Sequence, residues 1–231
     1  MKYIGTKVVK AEPMTRTEAE KLLGRNLTSK GEYGEDGYLV EYEDGYQSWS
    51  PKEVFEKAYK LAETPLNRME IECVDLSNKI AGCSKFLESD KSKGIDQFTR
   101  SMLSVQNSLM KEYYNVLCDR AKRMESGDGT SNGFSFGVAI KYLSAGMAIR
   151  RSGWNGKGMF VVKQIPCDVN ADIIPNMLSL PQSAKDIIMG RENPHINYTN
   201  QMIIVNPNGR ADSWVPSSSD VFAEDWEIAL D

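Results

Sequence analysis

The side chains able to make or break bonds are sparse in this sequence. Its one histidine, His195, lies in a Pro-His-Ile context, so a histidine metal cluster or a histidine dyad has no second member. Cys73, Cys83, Cys118 and Cys167 are widely spaced without a CxxC pair, three of them in strongly helical sequence, and read as buried free thiols. No Walker A loop, nucleophile elbow or HExxH motif occurs. Adjacent carboxylates such as Glu224 and Asp225 would alternate across a strand and do not form an acid/base couple. What the last hundred residues hold instead are groups that stack, donate and accept. These are Phe136, Arg150, Arg151, Trp154, Asn155, Asn200, Gln201, Trp214, Ser217, Ser219 and Asp220. The expectation is a binding protein without a cofactor or a metal, not an enzyme.

The elements that must position these groups fall in the third of three segments, with joints near residues 60–65 and 125–134. In the segment 134–231, Ser135 caps a helix with Phe136, Ala139, Ile140 and Leu143 on one face, and Gly146 is placed to end it in a left-handed cap. Strand signals follow: Met147–Arg151, a glycine-rich turn Ser152–Gly158, Met159–Ile165, a hairpin around Asn206–Gly209, and a last strand at Trp226–Ile228. Residues 166–198 form a long excursion with a helix at Ser183–Met189. In the middle segment, 63–126, Leu66, Met69, Cys73, Leu76, Ile80, Cys83 and Leu87 trace one packing seam, and Phe98, Met102, Val105, Leu109, Tyr113 and Val116 a second, which predicts an antiparallel helical hairpin. Glu125–Gly133 reads as a flexible linker. The first segment, 1–62, predicts a strand at Tyr3–Lys10, a helix opened by the capping box Thr15/Glu18, a type I′ hairpin at Asp44-Gly45, and a helix starting at Pro51 behind an N-cap Ser50. The fold class is α+β: a small N-terminal α+β module, a central antiparallel helical hairpin, and a C-terminal antiparallel-sheet domain with one main helix.

The 231 residues carry 28 Lys+Arg against 32 Asp+Glu, a formal charge of −4. A negative field disfavours long nucleic acid as a partner, while a small anion can still be held by local donors. No signal peptide, membrane-length apolar run or lipidation motif is present, so the expected setting is soluble, reduced and cytoplasmic.

The ordered series Phe136-Gly137, Arg150–Gly158, Asn200-Gln201-Met202, Trp214–Ser217, Ser219-Asp220 and Ala223–Trp226 resembles the second Thoeris anti-defence family of phages, over about residues 134–231. The resemblance implies a homo-oligomer, typically a tetramer, that sequesters cyclic ADP-ribose-type immune signals, notably glycocyclic ADP-ribose, between subunits without cleaving them. The location would then be the host bacterial cytosol. It also implies that some members bind cyclic oligonucleotides at a separate surface, for which the excursion 166–198 is the place to look. The first segment is similar to a small module common in phage proteins, and the helical hairpin to phage proteins without an assigned role. A structural or assembly adaptor with no small-molecule ligand is the competing reading.

For such a ligand, Trp154 or Phe136 could stack on adenine, and one guanidinium of Arg150 and Arg151, with Arg151 preferred, could reach the phosphates. Asn155, Asn200, Gln201, Ser217, Ser219 and Asp220 are the polar candidates. Asp220 could alternatively cap a turn. Trp214 and Trp226 read as core or subunit interface, with Trp214 kept as a ligand candidate, and Asp225 could pair with an arginine.

Overall fold

The computed structural model describes residues 7–27, 34–127 and 131–230 and is α+β, with every strand pairing antiparallel. Contacts divide the chain into two compact units, Met1–Ile71 and Glu72–Asp231. Among the described residues no helix is long and apolar enough to cross a membrane.

In the first unit, β1 (Lys10–Pro13), β2 (Gly37–Glu41) and β3 (Gln47–Pro51) form a sheet in that order. The first strand starts later than its apolar pattern suggests. Lys7–Val9 lie outside it and Tyr3–Thr6 outside the described residues, because the pairing with β2 begins at Lys10↔Glu41 and ends at Pro13↔Tyr38. Helix α1 (Arg16–Leu23) opens on the expected capping box: Thr15 accepts from the Glu18 N–H while Glu18 accepts from the Thr15 N–H. The β2–β3 turn is not type I′, since Gly45 has φ +80° and, among the described residues, no non-glycine has positive φ. Gly45 N–H donates to the Tyr42 carbonyl and Tyr42 N–H to the Tyr46 carbonyl, the three-residue loop that ends in a left-handed glycine. Nor does Ser50 cap the next helix. Pro51 closes β3 and is itself the N-cap of α2 (Lys52–Ala58), without a side-chain bond, because Ser50 is already paired opposite Tyr38 in the sheet. Phe55 of α2 stacks on Tyr38 at 4.4 Å.

Helices α3 (Pro65–Glu88) and α4 (Gln97–Ser126) form the hairpin. On α3 the expected seam residue Leu76 is buried, and Cys73, Ile80, Cys83 and Leu87 are half-buried. The α4 seam differs from the expectation. Phe98, Met102, Val105 and Leu109 are exposed, Tyr113 reaches α3 only through its hydroxyl, which donates to Glu72 at 2.5 Å, and Val116 packs on the core of the C-terminal sheet; α4 meets α3 chiefly through a different face, where Asn107 Nδ2 donates to Ser84 Oγ at 2.9 Å, Cys83 Sγ approaches the Leu103 carbonyl at 3.7 Å and Cys118 Sγ lies 3.6 Å from Cys73 Sγ. Asn107 is nearly buried, and a polar layer of this kind fixes one register of two apolar helices. Of the thiols, Cys73, Cys83 and Cys118 are half-buried and Cys167 is exposed, so the expectation of four buried cysteines does not hold.

Of the residues read as a linker, 128–130 lie outside the described residues, and the others flank or form regular elements. Helix α4 runs to Ser126, Gly127 caps it at φ +75°, and Asn132–Phe134 form strand β4. Ser131 Oγ donates to Asp119 of α4 at 2.9 Å and the Ser131 carbonyl accepts from Ile228, so the described end of this stretch is held by long-range pairing despite its composition. Next come α5 (Phe136–Ser144), β5 (Ile149–Arg151), β6 (Phe160–Lys163), β7 (Cys167–Asn170), α6 (Gln182–Met189), β8 (His195–Tyr198), β9 (Met202–Val205), β10 (Ala211–Ser213), α7 (Ser218–Val221) and β11 (Trp226–Ile228). Six of these strands make one sheet in the order β10-β9-β6-β5-β11-β4. Helix α5 is capped by Ser135 as expected, and it ends where Gly146 (φ +92°) donates to Leu143 and Met147 to Tyr142. It packs on the sheet through Val138, Ala139 and Leu143 against Ile149, Val161 and Trp226. The excursion 166–198 is a second, two-stranded sheet, β7 with β8, enclosing α6.

A Cβ on Gly37 would sit 2.4 Å from both the Ser50 carbonyl oxygen and the Trp49 ring. Gly37→Ala should therefore destabilise the N-terminal sheet by about 1–3 kcal/mol, read as a lowered midpoint in denaturant melts followed by Trp49 fluorescence.

Candidate functional site

Strand β5 alternates its side chains, so Arg150 and Arg151 leave on opposite faces. Arg150 stands directly across from Glu227 of β11 and pairs with it, Nε to Oε1 at 2.6 Å. Arg151, across from Trp226, reaches two carboxylates: its Nε donates to Asp225 Oδ1 at 2.7 Å, and its Nη1 to Asp220 Oδ1 at 3.0 Å and to the Ser219 carbonyl at 3.2 Å.

Asp220 is the meeting point of these bonds. On α7 it completes a capping box in which Ser217 donates both N–H (2.9 Å) and O–H (2.6 Å) to Oδ2. Trp154 donates its indole N–H to Oδ1 at 3.1 Å, and the Asp220 carbonyl accepts from the Trp226 indole at 3.0 Å. Burial opposes ionisation of this carboxyl, but the bonds from Ser217, Trp154 and Arg151 more than offset it and hold its pKa to about 2. Asp225 is lowered chiefly by its bond from Arg151, and Arg151 is raised chiefly by the same bond. Asp225 Oδ2 also accepts from the Gly153 N–H at 2.9 Å, and a Cβ on Gly153 would lie 2.5 Å from that oxygen. The glycine is what allows the turn to close on the carboxylate.

Around this network three indoles meet edge to face. Trp154, Trp214 and Trp226 have ring centroids 5.5 to 6.1 Å apart at 69° to 75°, and Phe136 adds a fourth ring 5.4 Å from Trp226. Trp226 is fully buried, whereas Phe136, Trp154 and Trp214 are partly open. The structure thus brings together Phe136, Arg151, Trp154, Trp214, Ser219 and Asp220. Asn155 lies exposed in the turn beside Trp154. Asn200 and Gln201 are exposed ahead of β9, with Gln201 bonded to Gln164, and no described contact ties them to the indoles. His195 is exposed on β8, its Nδ1 2.9 Å from the Asn193 carbonyl.

A family description, Thoeris anti-defense 2-like domain, matches residues 134–229. Over 97 residues the chain is 36% identical to Thoeris anti-defense 2 of Bacillus phage SP01, covering 41% of this chain and 92% of that protein. The chain belongs to the Thoeris anti-defense 2 family. A second description, Sequestin, matches residues 63–123, which contain most of the α3–α4 hairpin. The whole indole and carboxylate network lies inside the Thoeris anti-defense 2 match.

Two features of this family member escape a reading of spacing alone. Arg151 is shared by two carboxylates and Arg150 is held by Glu227, so neither is a spare cation. Lys157, in the turn Gly156-Lys157-Gly158, is exposed and makes no ion pair among the described residues. Its place between two glycines was the available signal, since such a residue is presented by the turn with little around it.

Because the folded Asp220 carboxyl titrates near 2 and an unfolded aspartate near 4, its contribution is complete above about pH 4 and disappears as pH falls toward 2. Asp220→Asn should cost on the order of 2 kcal/mol at pH 7 and flatten the acid loss of stability between pH 4 and 2, measured by denaturant melts across that range.

Proposed function

We propose that this protein is a phage anti-defence protein that binds cyclic ADP-ribose-type immune signals, glycocyclic ADP-ribose in particular, and holds them intact. The observation that carries the reading is the match of residues 134–229 to the Thoeris anti-defense 2-like domain, within which partly open indoles and an uncommitted lysine stand around one rigid turn. In this reading the open faces of Trp154 and Trp214, with Phe136 beside them, supply flat surface for the base, and stacking of that kind is worth about 1–3 kcal/mol per base. Ser219, Asn155, Asn200 and Gln201 are donors and acceptors for ribose hydroxyls and phosphate oxygens, some of them offered to a neighbouring subunit of a homo-oligomer.

The role of Arg151 changes in this account. Beside Asp220 and Asp225 it belongs to a cluster of net charge −1, so it positions Trp154 and the turn while Lys157 meets the pyrophosphate. Asp220 likewise acts as an anchor for the turn. Capture without cleavage fits side chains that stack and hydrogen-bond around a carboxylate already saturated with donors.

Calorimetric titration of the purified chain with glycocyclic ADP-ribose, then heat denaturation and chromatography of the released ligand, should give tight binding and unaltered ligand. Recovery of a changed ligand would point to an enzyme, and absence of binding across a panel of cyclic nucleotides to a structural adaptor. In the same titration Lys157→Ala should weaken binding about tenfold, the worth of one charge-assisted hydrogen bond, with the melting midpoint unchanged.

A further inference from the structure

Helix α4 has a neighbour on each side. At about 100° per residue, Asn107 and Cys118, which meet α3, fall on one side of the helix, and Glu112, Val116 and Asp119 fall on the other. That second side is turned to the C-terminal domain. Glu112 accepts a hydrogen bond from the Ser135 hydroxyl, Asp119 accepts one from the Ser131 hydroxyl at 2.9 Å, and Val116 packs against the core that α5 forms with the sheet.

These bonds hold α5 at two points. Ser135 is its N-cap: the hydroxyl oxygen accepts from the Val138 N–H at 3.4 Å while the hydroxyl proton goes to Glu112. The carboxylate therefore fixes the rotamer that caps the helix, and its charge is favourable at a helix N-terminus. Seven residues beyond Ser135, the Tyr142 hydroxyl lies 3.1 Å from Ser131 Oγ. Ser131 has one proton and gives it to Asp119, so Tyr142 is the donor in this pair. Glu112 and Asp119 are also seven residues apart. With anchors at the same spacing on both helices, about 10 Å, α5 cannot slide along α4 without breaking both.

The first residue of α5 after that cap is Phe136, whose ring lies 5.4 Å from Trp226 in the aromatic cluster of the candidate site. Trp154 and Trp226 are tied into that cluster by their N–H groups, both on Asp220. Phe136 has no such polar handle. Its place is set by where the first turn of α5 begins, and that turn begins at the hydroxyl held by Glu112.

We infer, on the binding reading proposed above, that Glu112 of the helical hairpin is a positioning residue of the ligand site: through Ser135 it sets the first turn of α5, and with it the face that Phe136 offers to the base. In calorimetric titration of the full chain with glycocyclic ADP-ribose, Glu112→Ala should weaken binding about fivefold, the cost of ordering one ring on binding. Glu112→Gln keeps an oxygen for the Ser135 proton and should bind within about twofold of the parent. Ser135→Gly still suits a cap but offers Glu112 no proton, and should reproduce the loss. Added to Phe136→Ala, Glu112→Ala should cause no further loss, whereas added to Lys157→Ala it should cause its full loss. Equal affinity of Glu112→Ala, Ser135→Gly and the parent, or a loss undiminished on Phe136→Ala, would overturn the inference. A parent without affinity would end the binding reading, and the near-ultraviolet circular dichroism of the ligand-free chain then decides the positioning role. Glu112→Ala should reduce the aromatic signal and Glu112→Gln retain it; a signal unchanged in Glu112→Ala refutes that role.

Discussion

The C-terminal domain depends on one carboxylate. Asp220 accepts from Ser217, Trp154 and Arg151, and its main-chain carbonyl accepts from Trp226. Those donors come from α7, from the turn after β5, from β5 itself and from β11, so a four-residue helix that could not persist alone becomes the point where the sheet and the glycine turn are tied together. Hydrogen bonds to a charged acceptor are worth about 1.5–3 kcal/mol each, and together they outweigh the cost of burying the charge. The same saturation leaves Asp220 few lone pairs for any further partner.

The indoles follow from that anchor. An indole packed on other indoles still needs a partner for its N–H. Trp154 and Trp226 both find it on Asp220, one on the side chain and one on the main chain. With the N–H groups fixed and the rings held edge to face, Trp154 keeps one orientation without a ligand. A ring already held in place avoids the cost of ordering a side chain on binding, about 0.5–1.5 kcal/mol.

Much of the local structure was legible in the sequence because its causes are local. Thr15 with Glu18, Ser135 ahead of α5 and Gly146 behind it act over three to five residues, and each is visible as a residue type at a fixed spacing. The glycine turn and the tryptophans of the candidate site were legible as motifs in the same way. What Arg151 does was not. Its partners lie 69 and 74 residues away, and nothing in Arg150-Arg151 says which guanidinium is neutralised or by what. Strands β4, β7 and β8 were missed for a related reason. They are three or four residues long, below the length at which alternation separates a strand from a loop, and β4 hides in a glycine- and serine-rich stretch that only pairing with β11 holds extended.

Helix α4 shows the opposite limit, where the pattern was strong and its meaning ambiguous. Periodicity finds Phe98, Met102, Val105, Leu109 and Tyr113 readily, since they are the larger and more regular apolar set. The face that meets α3 is broken by Asn107 and reads as weaker. Hydropathy measures how much a side chain gains from leaving water and carries no information about which neighbour covers it. Within the hairpin, Asn107 Nδ2 donates to Ser84 while its buried Oδ1 has no partner among the described residues, so the face turned to α3 carries a half-satisfied amide. The more apolar stripe lies mostly outside, touching α3 only where Tyr113 donates to Glu72. Which face is covered is therefore decided by the whole set of contacts along the helix and not by the apolar pattern of either face.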